Sequence, residues 1–201
     1  RLPVALRHQL VGLIQVVLAE KNFVGGANLV LTDDMRLLIA ANASLLLLNR
    51  HSNYFINVKT VVLYPSAYRV KQTNQQAGVV GDVELVRLGE SWPWGTVVLS
   101  WSDSLAGSVN DHDGHNVILH EFAHQLDQQN GGATGTPKLK NKNMYKQWHN
   151  IFSQEYAELK NKIYAQRDTV IDGYGATNEA EFFAVVTESF FERVDPVAWF
   201  I

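Results

Sequence analysis

The segment at residues 115–129 most constrains the fold, because it reads as an apolar helix that also carries ionisable side chains. Its apolar residues recur at helical spacing and cover most sides of the helix, so the polar residues between them are largely buried. These apolar residues are Val117, Ile118, Leu119, Phe122, Ala123 and Leu126. Buried polar groups require partners. The fold must therefore bring other polar groups, or an ion, against this helix.

The polar residues of this helix form an H-E-x-x-H pattern made by His120, Glu121 and His124. Residues four apart lie above one another on a helix face, about 6 Å apart along the axis, so two imidazoles can bind one metal ion. Glu121 lies about 100° further round the helix, beside such an ion, where it can accept a proton from a water molecule. The competing interpretation is a surface helix with two histidines and a solvated glutamate.

A catalytic zinc site needs a third protein ligand and an open position. The chain contains no cysteine, which excludes disulfides, thiolate nucleophiles and thiolate metal ligands. The third ligand must then be His, Asp or Glu, and Glu181 is the best candidate because it lies in an otherwise strongly apolar helix. From the spacing alone, the alternative that Glu181 is an ordinary, partly exposed glutamate stays open.

Two further carboxylates lie at helical spacing from these residues. Asp127 follows His124 by three residues and could accept the outer N–H of a ligand imidazole. Glu188 follows Glu181 by seven residues and therefore lies on the same helix face. It could likewise support a metal ligand without binding the ion itself. We expect both to support the metal ligands rather than to bind the ion.

Composition and charge describe one soluble globular domain over residues 1–201. The chain has 201 residues, 46% of them hydrophobic, and a net charge of −3 that argues against a broad nucleic-acid surface. The longest apolar stretch, residues 37–48, is far shorter than the ~20 residues that span a bilayer. We expect a cytoplasmic protein, with no membrane and no direct nucleic-acid partner. Because it begins at Arg1 rather than Met, we also expect a missing N-terminal segment.

The order of the predicted elements favours an α+β fold with a helical N-terminal part, a small central β-sheet and a helical C-terminal part. We expect helices at residues 3–20, 33–50, 115–129, 144–165 and 179–191, and strands at residues 59–64, 79–88 and 96–101. The second helix begins after the capping signal Thr32-Asp33-Asp34. The strand at residues 96–101 precedes the histidine helix and is expected to form the edge strand of the active site.

Two motifs resemble a known family. The run His-Glu-Phe-Ala-His-Gln-Leu-Asp at residues 120–127 and the run Tyr-Gly-Ala-Thr-Asn-Glu-Ala-Glu-Phe-Phe-Ala at residues 174–184 are similar to the gluzincin-type metallopeptidases of the Mlc titration factor A family. A more distant resemblance links the second run to the catalytic domain of anthrax lethal factor. That domain has a second glutamate four residues after its ligand, where this chain has Val185.

The resemblance implies a zincin-like metallopeptidase domain with one Zn²⁺ per chain. By this resemblance His120, His124 and Glu181 are the zinc ligands, and Glu121 is the general base. Tyr174 matches the family tyrosine that can hydrogen-bond the oxyanion of the transition state. The implied activity is hydrolysis of peptide bonds, with aminopeptidase-type substrates.

The same resemblance implies a protein partner, the transcriptional repressor Mlc, whose sequestration relieves repression of glucose phosphotransferase genes. Two hypotheses remain open. The chain is a working peptidase that also binds the repressor, or it is primarily a non-catalytic repressor-sequestering protein with a vestigial or regulatory zinc site. A purely structural zinc site is disfavoured, because two histidines and one glutamate leave a coordination position open.

Overall fold

The computed structural model describes residues 2–50, 54–76, 79–87, 89–92, 95–110 and 112–193. The helices are α1 (Val4–Glu20), α2 (Asp33–Leu45), α3 (Trp101–Val109), α4 (Val117–Asp127), α5 (Lys142–Tyr164) and α6 (Glu179–Glu192). The strands are β1 (Asn22–Gly25), β2 (Thr60–Tyr64), β3 (Tyr68–Gln76), β4 (Val79–Arg87), β5 (Gly89–Trp92) and β6 (Thr96–Ser100). Within these residues no helix has both the length and the apolar character needed to cross a membrane.

The strands form two sheets. The larger has the order β1-β2-β6-β5, in which β1, β2 and β6 are parallel and β5 is antiparallel to β6. The smaller is the antiparallel hairpin of β3 and β4. Only the first four elements alternate between helix and strand. From β2 to β6 the strands follow one another, and α3 to α6 come after them, so the expected α+β class is confirmed.

The predicted helices are present with shifted ends. The capping signal at Thr32 is confirmed, because its side chain accepts a hydrogen bond from the Met35 amide at 3.2 Å. The helix it starts ends at Leu45 instead of continuing to residue 50. The histidine helix ends at Asp127 and is followed by a single 3-10 turn, Gln128–Asn130.

The predictions for the strands need three corrections. The strand expected at residues 96–101 ends at Ser100, and Trp101 begins α3, which the sequence analysis missed. That strand is not an edge strand, because β6 pairs with β2 on one side and with β5 on the other. Strands β1, β3 and β5 were also missed. Leu88, the last residue of the strand predicted at residues 79–88, lies outside the described residues.

Helix α4 lies at the centre of the molecule, in contact with α2, α3, α6, β5 and β6. Its apolar side chains join one core with residues of the sheet and of α2, and Phe122 packs edge-on against Phe55 with ring centroids 4.9 Å apart. Burying such aromatic and aliphatic side chains contributes about 1.5–3 kcal/mol each. The helix is thereby fixed on one side by the core, while its other side faces α6.

Candidate metal centre

The N-cap at Asn116 fixes where α4 begins and thereby the direction in which its two histidines point. The Asn116 side chain accepts hydrogen bonds from the amides of Ile118 and Leu119, both at 3.1 Å, which fixes where the first turn begins. His120 and His124 follow on one face, with ring centroids 4.8 Å apart. Their Nε2 atoms lie 3.2 Å apart. Two imidazoles therefore point at one common position.

Helix α6 brings Glu181 to the same position. The Asn178 side chain accepts a hydrogen bond from the Glu181 amide at 2.9 Å, which starts the helix and puts Glu181 in its first turn. Its Oε2 lies 3.0 Å from Nε2 of His120 and 3.4 Å from Nε2 of His124. The three side chains predicted to share one ion are thus brought together, although they are up to 61 residues apart in the chain.

The triangle formed by these three atoms fits a zinc ion. Its edges measure 3.0, 3.2 and 3.4 Å. Ligand atoms bound about 2.0–2.1 Å from a tetrahedral zinc lie about 3.3–3.4 Å from one another. Among the described residues, His120, His124 and Glu181 are the group of histidines and carboxylates able to hold a metal ion. Such a set leaves one tetrahedral position open for water or substrate.

Glu188 fixes the ring of His120 from behind. Its Oε1 lies 2.5 Å from Nδ1 of His120, and its Oε2 accepts the Asn116 amide at 2.8 Å. Burial opposes a charged imidazolium, but the hydrogen bonds from His120 to Glu181 and Glu188 outweigh it and raise the pKa of His120 to about 10. The Nδ1–carboxylate bond orients Nε2 toward the common position, which is how protein carboxylates commonly hold metal-binding histidines.

The carboxylate of Glu181 is strongly biased toward its charged form. Burial raises the pKa of such a group, but the hydrogen bonds from His120 and His124 outweigh it and hold the pKa of Glu181 well below its usual range. An ionised carboxylate is the form that binds a metal.

Glu121 has a different environment from Glu181, although both lie near the histidines. It is only 5% exposed, and burial raises its pKa to about 7, while the charges of His120 and His124 partly offset this effect. A general base works best when its pKa is near the working pH. The carboxylate of Glu121 is therefore suited to accept and return a proton at neutral pH.

A cleft of about 560 Å³ reaches one side of this site. His120, Glu121 and Tyr174 line it, together with residues of α3 and of the loop before α4. Tyr174 is half exposed, and its ring centroid lies 6.1 Å from that of His120. Its backbone amide donates to Asp172 at 2.7 Å in the 3-10 turn Gly173–Ala176. This turn directs the tyrosine into the cleft.

Asp127 makes different hydrogen bonds from those that its predicted role requires. Both of its oxygens accept backbone amides, from Gly135 at 2.7 Å and from Thr136 at 2.8 Å. The residue is fully buried and ties the loop after α4 to the end of that helix. The structure brings Glu188, rather than Asp127, into hydrogen-bond contact with a site histidine.

Sequence reasoning missed the part played by Asn116. Besides capping α4, its Nδ2 donates to Glu192 of α6 at 2.8 Å and to Asn42 of α2 at 3.0 Å. The signal was present, because an asparagine directly before an apolar helical run is a typical N-cap. One buried side chain thus joins α2, α4 and α6 behind the site.

A comparison with protein families agrees with this geometry. The model of the glucose-regulated metallo-peptidase M90 family matches residues 1–198. The chain belongs to the M90 metallopeptidase family. The expected resemblance is confirmed, and the site found between α4 and α6 is consistent with a zincin.

Curated relatives support the same assignment. An uncharacterised Synechocystis protein, slr2042, is 46% identical over 189 residues, which cover 93% of this chain and 69% of the relative. The Mlc titration factor A of Serratia proteamaculans is 32% identical over 185 residues, covering 90% of this chain and 70% of the relative. The protein of that name from Yersinia pestis is 30% identical over 193 residues, covering 92% and 69%.

Proposed function

We propose that this M90 family member is a zinc-dependent peptidase in which His120, His124 and Glu181 hold one Zn²⁺ per chain. The observation that carries the proposal is the triangle of Nε2, Nε2 and Oε2 atoms, whose edges of 3.0–3.4 Å suit a tetrahedral zinc. The buried carboxylate of Glu121 next to this triangle supports a catalytic site, since a storage or structural site needs no such base.

In the proposed peptide hydrolysis, the zinc ion and the side chains of the protein have different roles. A zinc ion bound there would lower the pKa of a coordinated water toward about 7 and polarise a substrate carbonyl. Glu121 takes a proton from the attacking water and later delivers it to the leaving amine. Glu188 keeps the His120 ring oriented throughout, through its contact with Nδ1 at 2.5 Å.

Besides the zinc ion, the hydroxyl of Tyr174 is proposed to stabilise the negative charge of the transition state. Its position in the cleft beside His120 suits a hydroxyl that donates to the oxygen on which negative charge develops. The Asp172 carboxylate accepts the Tyr174 amide and so holds the backbone of this turn. The role of Tyr174 is therefore electrostatic stabilisation rather than proton abstraction.

The proposed substrates are peptides with a free N-terminus, as for an aminopeptidase. The cleft lining includes three acidic residues, Asp103, Asp113 and Asp172, whose negative charge favours a substrate that carries an ammonium group. An alanyl chromogenic amide and its N-acetylated form separate this proposal from an endopeptidase. We expect hydrolysis of the free amine only. Equal hydrolysis of the two compounds would contradict the aminopeptidase assignment.

The test of the peptidase proposal is Glu121→Gln. We expect this variant to retain about one zinc per chain and to lose about 10²–10⁴-fold in kcat, which is the usual contribution of general acid–base catalysis. Glu155→Gln, at an exposed position on α5, is the matched control and should keep wild-type activity. A fully active Glu121→Gln protein would remove the proposed mechanism.

A second proposed function is binding of the transcriptional repressor Mlc, which would also give the protein a cytoplasmic location. Its support is the similarity to two proteins named Mlc titration factor A. In the alternative hypothesis, sequestration of the repressor is the main role and the zinc site is vestigial or regulatory. One variant tests whether repressor binding depends on the zinc site. Repressor capture by zinc-free His120→Ala would show that binding does not need catalysis, and loss of capture would couple binding to the metal.

We further propose that residues 1–201 act as one domain. The proposed site needs both α4 and α6, and the core around α4 includes residues from α1, α2 and the sheet. Thermal unfolding should therefore follow a single transition by calorimetry and by circular dichroism.

A further inference from the structure

The strand beside Glu121 begins with a glycine whose position leaves no room for a side chain. Gly89 is the first residue of β5, the edge strand next to α4, and pairs with Leu99 of β6. A Cβ atom added to Gly89 would lie 2.6 Å from both Cγ and Oε1 of Glu121, and 2.9 Å from its Cδ. Carbon atoms in favourable contact lie about 3.5–4.0 Å apart. An alanine here would therefore overlap the carboxylate group.

Backbone conformation does not explain this glycine. The described glycines with positive φ are Gly95, Gly114, Gly131 and Gly135, so Gly89 has a backbone that other residues adopt as well. What Gly89 provides is lateral space. The side chain nearest to this space is that of Glu121, since each of the three atoms nearest to the added Cβ belongs to it.

Glu121 has little freedom to yield to a larger neighbour. Its side chain is nearly buried, and the residues on both sides of it in α4 pack into the core or toward α6. Its carboxylate interacts electrostatically with His120, His124, Glu181 and Glu188. A methyl group at Gly89 must then displace either this carboxylate or the β5 backbone, which lines the same cleft. Both movements change the distance between the base and the proposed metal ligands.

We propose that Gly89 is a positioning residue for Glu121, because only a residue without a side chain lets that carboxylate lie against the start of β5. The inference rests on the proposed function, in which Glu121 is the general base. A displacement of about 1 Å at a reacting group can cost about 10²-fold in rate. Gly89 thus sets the position of the base without touching the substrate's reacting atoms itself.

The first test compares Gly89→Ala with Gly12→Ala in the zinc-loaded protein. Gly12 has no atom within 4 Å of an added Cβ, so it controls for the general effect of replacing glycine by alanine. For Gly89→Ala we expect about a 10²-fold loss of kcat, with unchanged zinc content and nearly unchanged KM. A zinc-loaded, folded Gly89→Ala protein with wild-type kcat would overturn the proposal.

A second test uses no activity and compares the thermal midpoint of Gly89→Ala in two backgrounds. In the wild type we expect the substitution to lower Tm, because it creates the overlap. In Glu121→Ala, where the overlapping atoms are removed, we expect no decrease. An equal decrease in both backgrounds would show that Gly89 acts independently of Glu121 and would overturn the proposal. A wild-type protein that binds zinc but hydrolyses no peptide would instead refute the proposed function, while the Tm comparison still decides the contact.

Discussion

The two sides of α4 are both buried, yet they are stabilised in different ways. One side carries aliphatic and aromatic residues that are at most 4% exposed and pack into the core: Ile118, Leu119, Phe122, Ala123 and Leu126. The other side carries His120, Glu121 and His124, which face α6 and the cleft. Apolar area stabilises the first side without regard to direction. The second side needs a directed partner for every polar group.

This difference shows how one helix serves the fold and the site at the same time. The core side fixes the position of α4, so the polar side does not have to supply stability by itself. On that polar side the partners are again ionisable: Glu181 and Glu188 from α6 meet His120 at 3.0 and 2.5 Å. Substitutions on the two sides should therefore differ in kind, with loss of metal and activity on one side and loss of folding free energy on the other.

The largest effect is expected from Glu181→Ala. Loss of one of three proposed zinc ligands should reduce the zinc content from about one per chain to nearly none and abolish hydrolysis. Glu179→Ala is the matched control, because Glu179 lies two residues away in the same first turn but is exposed. Elemental analysis after dialysis measures both. A Glu181→Ala protein that retains zinc would mean that another residue is the third ligand.

Phe122→Ala, on the core side of α4, should lower stability but should not abolish zinc binding. Removing this fully buried ring is expected to lower the free energy of unfolding by about 3–5 kcal/mol through lost packing and a residual cavity. The folded fraction should still bind zinc. Ile151→Ala, at a side chain that is 65% exposed on α5, should change stability by less than about 0.5 kcal/mol. Urea titration of the metal-free proteins provides the measurement, and equal costs for the two variants would contradict the assigned core.

Tyr174→Phe tests the cleft side of the site. Loss of one donor to a developing oxyanion typically lowers kcat by about 10²–10³-fold. Zinc content should not change, because the tyrosine is not among the proposed ligands. Tyr164→Phe is the control, since that ring is 93% exposed at the end of α5. Steady-state kinetics in which both variants match the wild type would exclude the role proposed for Tyr174.

The smallest of these effects is expected from Glu188→Gln, which keeps the shape but removes the charge behind His120. Substitution of a residue that orients a metal-binding histidine typically weakens metal affinity by about 10–100-fold. Competition with a chromogenic chelator measures the zinc Kd. Glu158→Gln on α5, which removes only an exposed ion pair with Lys162, should leave the Kd unchanged. If Glu188→Gln binds zinc as tightly as the wild type, then the 2.5 Å contact has no influence on the metal.

Helical periodicity predicted most of the candidate site. The spacing of His120 and His124 placed both rings on one face, and the apolar surroundings of Glu181 singled it out among the glutamates. Glu188 was predicted on the same face as Glu181 from its distance of seven residues, and the structure brings it to His120. Which side chains share a face could be predicted because it depends on one helix whose register is fixed by its own sequence.

The features of the fold and the site that were not predicted depend mostly on contacts between residues far apart in the sequence. Asp127 satisfies the helical spacing, but a loop that folds back through Gly135 and Thr136 takes both of its oxygens. Strand β1 is only four residues long and half exposed, so its strand character follows from parallel pairing with β2. The start of α3 had a readable signal in Ser100 and Asp103, an N-cap followed by an acidic residue at the third helical position.

The edge position of β5 could not be read from the alternation of its residues. Strand β6 is buried over most of its length and pairs with both β2 and β5, while β5 runs antiparallel to β6 and brings Gly89 to the cleft. The contact between Gly89 and Glu121 arises only from this pairing. Sheet order is a property of long-range pairing, and short apolar runs alone do not determine it.

The most direct measurement of the central claim, that the polar side of α4 meets α6 to hold a metal, is X-ray absorption at the zinc edge. We expect about one zinc per chain with two imidazole nitrogens and further oxygen ligands at about 2.0–2.1 Å. We also expect the imidazole scattering to disappear with the zinc in a His120→Ala, His124→Ala double variant. A wild-type protein that takes up no zinc, or whose zinc spectrum lacks imidazole ligands, would show that α4 and α6 do not form a zinc site.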